Sequence, residues 1–452
     1  MANTLNMTTG KPMKLLFSFA LPLMFGNIFQ QLYTVVDIAI VGQGVGMEAL
    51  AALGCVDWLN WMLLGIAAGM TQGFGVIMSQ FFGRQDLPGL KRALGNSALL
   101  TAIIAIACTA LAELFLPNLL DLLQVPLGLR GYATVYSRII MGGFPAVAFF
   151  NFVSAVLRSV GDSKTPLVAM TIAAVTNILL DMLTIFVFDW EVAGAAAATV
   201  FSQLLAGSLC AAKIYKTPEL HFSRKDLTCK KVMTQNLIRV GSPLAIKNLI
   251  IALGGIAVQS IVNSFQDVGF IAGFTATNKL YGILEIAALS YGYAVTTYVG
   301  QNYGAGLYPR IRRGIKDAVI LSLISAAIIA VLMFLLGRPI TMLFISQEDP
   351  AMALIAGDTA YTYLCAMSAA LPMLYLLYVF LSALQGMGNS VAAMVSGIVE
   401  LSLRLGVSIT VAITGYRTGL FAAEVAAWTG AAIFLSISYF ASIRKLEKNP
   451  LV

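Results

Sequence analysis

The chain has 452 residues, 59% of them hydrophobic and only 11% charged, with a net charge of +7. Soluble domains carry about 25% charged residues, so a soluble chain this apolar could not cover its own core. The apolar runs recur along nearly the whole length, which excludes a soluble protein with one anchor, and Lys and Arg retained in cytoplasmic loops account for the positive charge without a nucleic-acid partner.

A spanning helix needs ~20 predominantly apolar residues. Twelve such segments follow one another at about 15–41, 52–82, 92–116, 132–157, 165–188, 193–214, 238–263, 275–302, 312–336, 358–384, 391–414 and 418–443. The first fourteen residues are polar and run straight into a full-length span, so no cleavable signal peptide is expected. With both termini cytoplasmic, 21 of the 28 Lys and Arg residues fall on the cytoplasmic side and only Arg130, Arg338 and Arg417 on the other. Arg138, Lys247, Lys279 and Arg404 lie inside spans or at their edges. A missed or extra span would scramble this alternation from that point onward.

The longest polar stretch, about 213–239, falls at the midpoint and reads as a linker between domains 1–225 and 226–452. The two halves match each other across it. At an offset of 221, Pro22 meets Pro243, Gln80 meets Gln301, Gly83 meets Gly304 and Arg92 meets Arg313. Beyond the third span the offset becomes 227, so that Pro145 meets Pro372, Leu157 meets Leu384, Gly161 meets Gly388 and Ser163 meets Ser390. The loop at Gln347–Pro350 supplies the six-residue insertion. Six is an even number of spans, so both halves enter the membrane from the same side and the repeats are parallel, an arrangement in which two bundles rock to alternate access to a substrate. The expected fold class is therefore an all-α polytopic membrane protein of two pseudo-symmetric six-helix bundles.

An acid at a helix centre costs on the order of 3 kcal/mol on insertion scales, so acids in spans are candidate functional groups. In span 1, Asn27, Gln30, Gln31, Thr34 and Asp37 recur at helical spacing, with Tyr33 one turn below the acid. In span 5, Asn177, Asp181 and Thr184 form a second stripe, and in span 6 Thr199 and Gln203 form a third. Two carboxylates, an amide oxygen and a hydroxyl suit a hard cation such as Na⁺. They equally suit a proton, since two acids held close in low dielectric cannot both ionise easily. The bland alternative is that these groups only tie helices together. The second half differs at these positions: Asp37 corresponds to Val258, Asn177 to Arg404, Asp181 to Ser408 and Thr199 to Glu424. Arg404 is expected to pair with Glu424, or with Glu400 one turn away, as a structural ion pair. Glu285, among Ile and Leu in span 8, fits a substrate contact, a protonation site or a partner for Lys247 or Lys279.

Five scattered cysteines, Cys55, Cys108, Cys210, Cys229 and Cys365, form no CxxC pair, and the one histidine, His221, is in the linker. Neither a metal cluster nor an enzyme centre of the H-E-x-x-H kind can be built from them, so no catalytic residue and no cofactor beyond a coupling ion is expected.

The motifs bring the chain into likeness with a known family. Span 1 carries Pro22…Gln30-x-x-Tyr33-x-x-x-Asp37…Gly42, and span 4 ends in Leu157-Arg158-Ser159-Val160-Gly161-Asp162-Ser163-Lys164-Thr165-Pro166. Span 5 has Asn177-x-x-x-Asp181, and span 6 has Gly194 followed by four alanines and Thr199. Over all twelve spans the chain resembles the MATE (multidrug and toxic-compound extrusion) family, and its bacterial DinF-like and MepA-like members in particular. That resemblance implies a V-shaped pair of bundles in a bacterial cytoplasmic membrane, working as a monomer and exporting cationic amphipathic compounds against Na⁺ or H⁺. It implies that Asp37, Asn177, Asp181 and Thr199 form the cation or proton site, and that Gln30, Tyr33, Asn151 and Met170 line the drug cavity, with Glu285 a further candidate. NorM-like members place coupling acids in spans 7 and 10; here Ile251 stands near the first place and the middle of span 10 has no acid. Coupling is thus expected in the first half. The rivals are a lipid-linked flippase, which usually has more spans and a cavity richer in Arg, and a channel, which needs no one-sided acid site.

Overall fold

The computed structural model describes residues 5–222, 225–227, 230–345 and 350–448, apart from the side chain of Trp58. Cys229, Arg224 and positions 347–349 of the expected insertion lie outside the described residues. Among the described residues the fold is wholly helical. The helices are α1 (Pro12–Gly44), α2 (Met47–Gly83), α3 (Leu87–Leu122), α4 (Arg130–Gly142), α5 (Phe144–Ser159), α6 (Lys164–Phe186) and α7 (Glu191–Tyr215). After the linker come α8 (Lys231–Ser264), α9 (Val268–Gly304), α10 (Tyr308–Met342), α11 (Pro350–Gly386), α12 (Ser390–Thr414) and α13 (Ala422–Lys448). Among the described residues ten helices are individually long and apolar enough to cross a membrane, and α4 with α5 makes an eleventh if the bent pair is one span. The remaining long helix, α9, has 37 residues but carries Lys279 and Glu285, which dilute its apolar run.

The bend in span 4 departs from the single straight span expected over 132–157. The two pieces meet at 43°. Pro145 has no N–H to give to the carbonyl of Met141, and the Thr109 hydroxyl donates to that carbonyl instead, at 3.1 Å. Gly143 allows α7 to come close: a Cβ there would stand 2.1 Å from Val200 Cγ2.

The chain divides into two compact units, one of Met1–Asn6 with Leu21–Leu249, the other of Met7–Ala20 with Ile250–Val452. The linker-side start of α8 thus packs in the first unit and the start of α1 in the second. Equivalent contacts recur in both. In the first unit the Thr234 hydroxyl and the Lys230 N–H donate to Asn96 Oδ1 at 3.4 and 3.0 Å. In the second, the Met13 N–H donates to Asp317 Oδ2 at 3.1 Å, and residues 13 and 317 stand 221 apart from 234 and 96 respectively. The turn after span 4 carries Gly161 with φ +89°, and its partner 227 residues on, Gly388, has φ +83°. Both precede a side-chain cap: Asp162 Oδ1 accepts from the Thr165 N–H at 2.9 Å, and Asn389 Oδ1 accepts from the Ala392 N–H at 3.3 Å. The repeat is therefore written in backbone conformation and capping as well as in identities. The first unit's largest core packs Phe74, Met78, Leu90, Val156 and Leu157 between α2, α3 and α5.

Candidate functional site

In the first unit, α1, α4, α6 and α7 bring polar groups to one place. Asp181 is fully buried on α6 and Asn177, one turn earlier, is 1% exposed. Asp37 on α1 is half-buried and lies within electrostatic reach of Asp181. Oδ1 of Asp37, both carboxyl oxygens of Asp181, the amide atoms of Asn177 and Oε1 of Gln203 are buried without a hydrogen bond of ordinary geometry. Buried polar groups are nearly always satisfied, so a cluster of such oxygens is a site that asks for a proton or a cation. The Thr184 hydroxyl donates its proton to the Leu180 carbonyl at 2.8 Å, so it gives no donor to these oxygens. Tyr33 stands against Asp37, Asp181 and Gln203. Thr199 is half-buried on α7, one turn before Gln203.

Sequence reasoning missed Tyr136. It projects from α4 into the neighbourhood of Asp37, Asp181, Tyr33 and Asp57. A lone tyrosine in an apolar span carries no periodic signal, and the break in span 4 sets its direction. The other residues expected to line a cavity make contacts of their own. Met170 is 7% exposed and packs in the core with Phe152 and Val153. The Asn151 side chain donates within its own helix to the Val147 carbonyl at 2.9 Å, and the main-chain carbonyl of Gln30 accepts from the Thr34 hydroxyl at 2.9 Å. Among the described residues no three His, Cys, Asp or Glu side chains converge as a metal-binding group.

The second unit holds a different cluster. Arg404 on α12 donates to Glu424 Oε2 at 2.7 Å, with the two side chains 6% and 18% exposed. Glu400, one turn before Arg404, is also buried and adds to the field on the guanidinium. Glu285 on α9 accepts from the Tyr378 hydroxyl of α11, and Tyr281 lies between Glu285, Glu424 and Arg404. Lys279 is exposed, and a phenol, that of Tyr378, reaches Glu285.

A family model described as MatE matches residues 22–183 and again 243–410. The chain belongs to the MATE family. From residue 22 to residue 243 is an interval of 221, and from 183 to 410 one of 227, so the two matched segments reproduce both offsets of the internal repeat. A curated relative, the probable multidrug resistance protein YpnP of Bacillus subtilis, is 30% identical over 342 residues, covering 76% of each chain. An FAD transporter of Shewanella oneidensis is 26% identical, covering 86% of each chain. A solved structure, the outward-facing conformation of a multidrug resistance MATE family transporter of the MOP superfamily, superposes with a TM-score of 0.90 over 98% of each chain at 21% identity. The MATE chain is thus a multi-pass membrane protein with the two-bundle fold of twelve spans, a secondary transporter of small molecules and not an enzyme. Within the family it sits with the bacterial exporters of NorM and MepA type.

Proposed function

We propose that the protein is an antiporter that exports cationic, amphipathic drug-like compounds in exchange for Na⁺ or H⁺. The observation that carries this reading is the pair Asp37 and Asp181, two acids set against each other with buried oxygens that make no hydrogen bond of ordinary geometry. The ion from outside binds between these acids, with Asn177 and Thr199 as neutral oxygen ligands, and favours one arrangement of the bundles; the compound favours the other. The ion must bind the two arrangements unequally, because a ligand with equal affinity for both shifts nothing. One charge crossing ~100 mV supplies roughly 2.3 kcal/mol, more than a tenfold concentration gradient. Both termini face the cytoplasm, supported by the Lys and Arg asymmetry of the loops. Gln30, Tyr33, Asn151 and Met170 of the first unit and Glu285 of the second are the residues assigned to the compound.

Purified protein in sealed proteoliposomes tests this. An imposed Na⁺ gradient, then an imposed pH gradient, is expected to drive uptake or release of an ethidium-like cation with one of the two ions. Transport that runs at channel-like rates with neither gradient would overturn antiport. A relative named as an FAD transporter makes an anionic dinucleotide the competing cargo, and flux of that cargo in preference to the cation would overturn the substrate class.

A further inference from the structure

The first unit contains a cavity of about 660 Å³ that shares no residue with the acid cluster. Its walls come from α3, α5, the end of α7 and the segment after it. Along α3 it runs from Leu94 to Ile106, thirteen residues or about 18 Å of helix. That is roughly one leaflet of a hydrocarbon core ~30 Å thick. The lining is apolar over this length. The hydroxyl of Thr101 is turned onto the Ser97 carbonyl at 2.8 Å, so it offers the cavity no donor. Ala102, Ile106 and Pro145 are exposed, so the cavity opens sideways, where a bilayer would lie.

Polar atoms gather at one end only. There the His221 ring meets the Tyr215 carbonyl. Lys216 follows Tyr215, and Lys91 lies one turn before Leu94. The linker docks on the same end of α3: the Asp226 carbonyl lies where a Cβ on Gly95 would be 2.2 Å away, and the Lys230 N–H donates to Asn96 Oδ1 at 3.0 Å. Against Lys91 and Lys216 stands Glu219, which leaves the rim cationic.

We propose that this cavity is a binding site for an anionic phospholipid of the cytoplasmic leaflet, with one acyl chain in the slot and the phosphate at the lysine rim. Depth, lateral opening and apolar walls match an acyl chain. The positive rim repels an organic cation, so the slot is no second site for the transported compound. Each lysine near the headgroup contributes on the order of a fivefold preference for a negative lipid.

The test is lipid retention by the purified, full-length protein, read by native mass spectrometry with phosphatidylglycerol or phosphatidylcholine of matched chains. The wild type should hold phosphatidylglycerol at least about fivefold more strongly, and Lys216→Gln should lose about fivefold of that preference. Ala102→Trp, at an exposed position that points a ring into the slot, should abolish retention of the lipid, and Ile106→Trp serves as an independent second block. Equal retention of the two lipids, or an unchanged preference in both tryptophan variants, would overturn the proposal. Displacement by soluble glycerol phosphate would overturn it too, because it would make the rim a phosphate site without need of the chain.

Discussion

Two clusters of buried polar groups occupy corresponding places in the two units, and they are built on opposite principles. In the first, Asp37 and Asp181 face each other, with Asn177 one turn from Asp181 and no basic side chain among these three. In the second, the same repeat positions hold Val258, Arg404 and Ser408, and Arg404 gives its charge to Glu424 at 2.7 Å. The first trio holds no positive charge of its own; the other cluster carries one in the chain. A duplicated scaffold thus keeps its backbone while its buried charge differs between the halves.

The sharpest way to break this comparison is to neutralise the acids. Asp181→Asn and Asp37→Asn are each expected to bring ion-driven efflux down to the level of empty vesicles while leaving expression and monodispersity intact. Dye efflux from a drug-sensitive host reads the result, and normal efflux by either variant would remove that acid from the mechanism. The opposite behaviour is expected of the other cluster. Arg404→Met strands buried glutamates and should destabilise the protein by about 3–5 kcal/mol, whereas the double change Arg404→Met with Glu424→Met should recover most of that loss. Thermal unfolding in detergent measures both, and an Arg404→Met protein as stable as the wild type would mean that the pair is not structural.

The paired turns offer a smaller contrast. Gly161→Ala must force a left-handed backbone at φ +89° and press a Cβ to within 2.2 Å of the Leu5 carbonyl. Gly388→Ala meets the same backbone demand at φ +83°. The second change should cost about 1–2 kcal/mol and the first more, as read by the shift in unfolding midpoint. The smallest effect is expected from the phenols. Tyr136→Phe removes a hydroxyl beside the acids and should slow ion-driven transport by up to about tenfold, the worth of one hydrogen bond to a charged group. Tyr378→Phe removes the phenol from Glu285 and should leave the ion dependence unchanged. Equal effects of the two on ion dependence would erase the distinction between the clusters.

Much of the fold was legible in the chain because the bilayer acts on each segment separately. Apolar length marks a span, loop charge sets its direction, and the 221 and 227 offsets expose the duplication. Asp37, Asn177 and Asp181 were legible for the same reason, since an acid in a span is costly whatever it touches. The break in span 4 had its signal in Gly142-Gly143-Phe144-Pro145, but a run of apolar residues reads the same whether the helix is straight or bent at 43°. The roles of Tyr136 and Tyr378 had no signal at all, because an aromatic ring in a span satisfies the bilayer equally well in any direction. Hydropathy, charge and repetition alone determined the spans, the two halves and the acids that define the first of them. Only the tertiary structure decided which side chains meet, because helix rotation and the close approach of α4 and α7 at Gly143 are fixed by packing between segments and not by the solvent preference of any one.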